Sequence, residues 1–115
     1  MIPAIFLAAA ATSASATSTM CRFEGSSDSS TYSLEFIGYG EIAVIKIDLP
    51  EGPRSLPSGS YKVIEFDERT RKIDLVYRNP GDPSLPSSFT LKGVGDKVRM
   101  AIGKVQIVSK LNCDF

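Results

Sequence analysis

Apolar side chains recur at every second position along most of this chain, and that spacing leaves little choice but β-structure. A strand turns successive side chains to opposite faces, so alternation buries one face and wets the other. Tyr32, Leu34 and Phe36 alternate with Ser33 and Glu35, and beyond the Gly38-Tyr39-Gly40-Glu41 turn, Ala43, Ile45, Ile47 and Leu49 alternate with Val44, Lys46 and Asp48. Two strands joined by a glycine turn follow. In residues 60–67 the parity breaks, because Tyr61 and Val63 oppose Ile64 and Phe66, which predicts a bulge near Val63. Ile73, Leu75 and Tyr77 restore the pattern. Phe89 and Leu91 continue it, followed by a Gly93-Val94-Gly95-Asp96 turn and then Val98, Met100 and Ile102. After Gly103-Lys104, the residues Val105, Ile107, Leu111 and Cys113 share one face of a last strand. No segment offers three turns of amphipathic helix.

With Met20 to Glu24 as the first strand the count is eight, and an up-and-down order brings the first and last strands side by side in opposite directions. The expected fold is therefore a small antiparallel barrel of about eight strands, since closure removes both exposed sheet edges. A two-sheet β-sandwich is the alternative. Eight strands leave an interior filled by side chains, with room for at most one small ligand.

The N-terminus reads differently. Ile2 to Ala11 is an apolar run without charge, followed by Thr12-Ser13-Ala14-Ser15-Ala16, whose Ala14 and Ala16 supply the small-residue pattern of a cleavage site. Residues 1–16 are expected to be a cleavable signal peptide and residues 17–115 a single β domain, periplasmic or secreted. The apolar run is too short to cross a bilayer, which needs about 20 residues, and no later segment does better, so no membrane span is expected. In an oxidising compartment, Cys21 and Cys113 at opposite ends of the domain read as one disulfide. Closing a loop of that size stabilises a fold by roughly 4 to 5 kcal/mol on the chain-entropy model.

All 13 basic and 13 acidic residues lie beyond the leader, with their signs interspersed along the chain. That neutrality argues against nucleic acid or an anionic membrane as partner. The chain has no histidine, which removes the Ser-His-Asp and Cys-His arrangements and the commonest zinc ligand. Glu65, Asp67 and Glu68 are the densest acidic group, but Arg69, Arg71 and Lys72 follow at once, and together they read as a charged hairpin tip. No catalytic residue, metal or cofactor is assigned, and the chain is read as non-enzymatic.

One short motif occurs twice. Ser55-Leu56-Pro57-Ser58 and Ser84-Leu85-Pro86-Ser87 are identical, and each follows an Ile-Asp-Leu. The eight-strand order places both at one end, opposite the disulfide and beside the Ser-rich loop from Gly25 to Ser30. Proline stiffens such loops and lowers the entropy lost on binding. Leu56 and Leu85 either stand out as anchors among hydroxyls or turn inward and plug the barrel end; the plug is favoured. Ser55, Leu56, Ser58, Ser84, Leu85 and Ser87 are accordingly candidate binding residues.

Cys21, the run Ser58-Gly59-Ser60-Tyr61, Lys72 and the C-terminal Cys113, set in a small β domain, resemble the bacterial periplasmic inhibitors of c-type lysozyme. In that family a loop bearing Ser-Gly-x-x-Tyr and a lysine from a neighbouring strand insert into the lysozyme cleft. The resemblance implies Ser58 and Lys72 as the inhibitory pair, with Gly59 and Tyr61 completing the loop. This sequence departs from the pattern in having the motif one residue short and no tryptophan. The expected function is an exported binding protein, in its sharpest form an inhibitor of a cell-wall hydrolase such as lysozyme. The alternatives are a lipocalin-like carrier, which requires an apolar cavity, and a structural envelope domain.

Overall fold

A computed structural model describes residues 18–27 and 30–115; the leader expected over residues 1–16 lies outside them. Ten strands follow one another: β1 (Ser18–Ser27), β2 (Ser30–Tyr39), β3 (Glu41–Leu49), β4 (Gly52–Ser55), β5 (Tyr61–Asp67), β6 (Lys72–Tyr77), β7 (Phe89–Val94), β8 (Lys97–Ile102), β9 (Val105–Ser109) and β10 (Leu111–Asn112). Among the described residues no helix is long and apolar enough to cross a membrane.

The strands form two five-stranded sheets, β10-β1-β2-β3-β4 and β5-β6-β7-β8-β9, with every neighbouring pair antiparallel. The closed eight-stranded barrel is thus not formed, and two short strands explain why. Gly52–Ser55 pairs with β3 from Lys46 to Leu49, and Pro53 is tolerated there because β4 is an edge strand. At the other end the chain leaves the second sheet after Ser109, and Leu111–Asn112 pairs with β1 in the first. The expected single last strand is therefore split between the sheets at Lys110.

Both seams between the sheets lack a ladder, and they differ in tightness. At the β1–β9 seam a Cβ added to Gly25 would lie 2.5 Å from Ile107 Cγ2, and the Ser109 hydroxyl donates to the Glu24 carbonyl at 2.5 Å. Only glycine permits that approach. At the β3–β5 seam no backbone hydrogen bond crosses among the described residues; the Tyr61 hydroxyl donates to the Ala43 carbonyl at 3.3 Å. β5 is bulged between Val63 and Glu65, where the broken parity requires it, and a bulge bends an edge away from further pairing.

One apolar core serves both sheets. Phe23, Leu34, Phe36 and Ile45 from the first join Leu75, Tyr77, Leu91 and Met100 from the second, all fully buried. Each such side chain contributes about 1.5–3 kcal/mol of burial. Cys21 is bonded to Cys113 with Cα atoms 4.0 Å apart across a sequence separation of 92. The bridge therefore ties β1 to the chain just beyond β10.

Candidate functional site

Adding β4 to the count inverts the direction of the chain beyond it, and this relocates the two repeated motifs. Cys21 stands opposite Phe36, Phe36 opposite Ile45, and the Leu56 amide donates to the Ile45 carbonyl at 2.9 Å. The first Ser-Leu-Pro-Ser loop therefore starts in the row of the disulfide, not opposite it. Ser27 and Ser30 of the Ser-rich segment pair at the far end. The two motifs are still neighbours, because Arg54 donates to the Ser84 hydroxyl at 2.7 Å and the Arg78 amide donates to the Ser60 carbonyl at 2.8 Å.

Leu56 and Leu85 retain only 4% and 7% of their surface; Leu56 turns into the core cluster, and Leu85 is buried outside it. The second loop is held in that posture by Asn79. Its side-chain oxygen accepts the amides of Gly81 and Asp82 at 2.7 and 2.8 Å, and its nitrogen donates to the carbonyls of Asp82, Leu85 and Pro86 at 2.9, 3.3 and 2.9 Å. The Tyr77 hydroxyl also donates to Pro86, at 3.0 Å. Burial, reinforced by the Asp82 charge and opposed by Arg54, pushes the Tyr77 phenol above its ordinary range. The Ser84 hydroxyl and amide, donating to Asp82 at 2.6 and 2.9 Å, hold that carboxyl low.

Between the two loops lies an open groove of about 810 Å³, lined by Ser58, Gly59, Tyr61, Lys62, Arg78 and Pro80 among others. Three of the candidate binding residues, Ser58, Gly59 and Tyr61, meet there. Leu56 is consumed by the core, Leu85 is buried outside the core cluster, and Ser84 is engaged by Arg54 and Asp82; Ser55 and Ser87 are exposed outside the lining. Lys72 is elsewhere. It stands opposite Asp67, six residues along β5 from Tyr61 and so about 20 Å away by strand rise, with its amino group 3.2 Å from Glu65. Ser58 and Lys72 do not share a site. The acidic group beside Lys72 is a hairpin tip, in which Asp67 accepts the amides of Arg69 and Thr70.

A second depression went unseen in the sequence. Residues 17–60 carry Arg22, Lys46 and Arg54 against six acidic side chains, whereas residues 61–110 carry ten basic and six acidic ones. Signs that look interspersed along the chain are thus partitioned between the sheets. The imbalance peaks in residues 89–110, where Lys92, Lys97, Arg99, Lys104 and Lys110 face only Asp96. Thr90, Lys92, Lys97, Arg99, Ala101 and Val108 line a shallow depression of about 490 Å³ on the outer face of β7–β9. A charge count by segment, rather than over the whole chain, would have found it. Among the described residues no cluster of three or more His, Cys, Asp or Glu is placed to hold a metal. No family model, no curated protein and no solved structure matches this chain.

Proposed function

We propose that the protein is an exported structural domain of the cell envelope, which works through its outer surface and not through an internal ligand site or a reactive centre. The observation that carries this reading is the filled interior. Side chains of both sheets meet in one apolar cluster, Leu56 and Leu85 close the loop end, and the described grooves are open and lined largely by partly or fully exposed residues. A carrier of an apolar molecule needs a cavity where this core stands. The separation of Ser58 from Lys72 takes away the paired insertion that the inhibitor reading requires. The disulfide suits a small domain in an oxidising compartment.

The test is expression of the full chain followed by cell fractionation and intact-mass measurement. The expected product is extracytoplasmic, begins at Thr17 and has no free thiol. Cytoplasmic, unprocessed protein with two free thiols overturns the reading. With the same product, lysozyme activity is expected to stay unchanged at stoichiometric excess; inhibition that Ser58→Ala abolishes would return the inhibitor to first place.

A further inference from the structure

Resting on the reading of a surface-acting envelope domain, we infer that the outer face of β7–β9 is a binding site for a linear polysaccharide bearing carboxylates. Lys92 and Arg99 are direct cross-strand partners, and like charges placed opposite one another destabilise a sheet. Asp74, on the other side of Lys92, is 3.8 Å from its amino group, while Lys97 and Arg99 have no acidic partner among the described residues. The outer face of the first sheet is built differently: Arg22 reaches Ser33 and Asp48, Ser33 reaches Glu24, Thr19 donates to Glu35, and Lys46 stands opposite Glu35, so cations and carboxylates alternate across it. On β7–β8, Lys97 and Arg99 are left open to an anion from outside.

The rest of the depression says which anion. Lys97 lies two residues from Arg99 along β8, so the backbone positions of the three cationic residues form a triangle with sides of about 5 to 8 Å by strand spacing and rise. A guanidinium presents a planar fork that takes a carboxylate through two bonds. Val108, 55% exposed and opposite Arg99, and Ala101 offer small apolar surface to a sugar ring, and the Thr90 hydroxyl offers a hydrogen-bond partner to ring hydroxyls. No aromatic side chain lines the depression, which leaves nucleic acid bases nothing to stack on. Nor is there a long aliphatic or aromatic side chain to enter a bilayer.

The experiment titrates the purified exported protein with polygalacturonate, and in parallel with neutral dextran, single-stranded DNA and phosphatidylglycerol vesicles. Polygalacturonate is expected to bind, and more tightly than DNA or vesicles. Binding should weaken as salt shortens the Debye length from about 30 Å at 0.01 M to about 8 Å at 0.15 M. Dextran should not bind. Lys97→Gln combined with Arg99→Gln should cost at least about tenfold in affinity, Lys46→Gln should cost nothing, and Arg99→Gln alone should leave the Tm of the free protein unchanged or higher. No binding of polygalacturonate, equal binding by the double variant, or tighter binding of DNA or vesicles overturns the inference. Its failure leaves the fractionation result standing, and the reverse outcome, binding by a protein that stays in the cytoplasm, removes the envelope reading alone.

Discussion

Leu56 and Leu85 occupy the same place in two copies of one four-residue motif, and both are buried, but only Leu56 joins the core cluster. Replacing Leu56 by alanine should cost about 2–5 kcal/mol, read as a fall in the urea midpoint, and replacing Leu85 should cost less. Ser58→Ala, in the exposed part of the first copy, should stay within about 0.5 kcal/mol. Tyr77 adds a pH dependence. Its folded-state pKa is raised, so its contribution is complete below the unfolded value near 10 and is lost as pH rises through the folded value. Stability should therefore fall on the alkaline side of about pH 10, and Tyr77→Phe should flatten that fall in urea titrations from pH 8 to 11. Asp82 works in the opposite window: its lowered pKa gives stability present above about pH 4 and lost as pH falls through the folded value.

At the scale of strands, the long alternating runs are legible because each buries the middle of one face. Phe36, Ile45, Leu75 and Met100 have no exposed surface, and the bulge near Val63 was visible as broken parity. The short strands were hidden for physical reasons. Gly52-Pro53 carries turn chemistry, and only the open edge of β3 lets a proline join the sheet; Leu111–Asn112 is held by pairing with a strand almost ninety positions earlier, which no local pattern encodes. A count without those strands puts the loops at the wrong end and closes a barrel that is open. The candidate site suffered from the same cause: Lys92 and Arg99 become neighbours only through the β7–β8 register. Gly25 is a further strand-level determinant. Gly25→Ala should cost about 1–3 kcal/mol by forcing β1 and β9 apart, measured by thermal or urea unfolding.

For the molecule as a whole, the Cys21–Cys113 bridge closes nearly the full domain, and its reduction should lower stability by about 4–5 kcal/mol on the chain-entropy model, seen by comparing urea unfolding with and without reductant. The two sides of the molecule are not bound alike. On one, β1 is tied covalently to the end of the chain and packed on β9; on the other, the Tyr61 phenol reaches from β5 to β3 and Arg54 of β4 reaches Ser84. The pair of sheets is a book with a stitched spine and a fore-edge held by light polar clasps, the Tyr61 phenol on Ala43 and Arg54 on Ser84. Thermal motion should part the fore-edge first. Deuterium should accordingly reach the amides of Glu41 to Val44 and of β5 well before those of β7, and Tyr61→Phe should quicken that uptake while leaving β1 and β9 as slow as before.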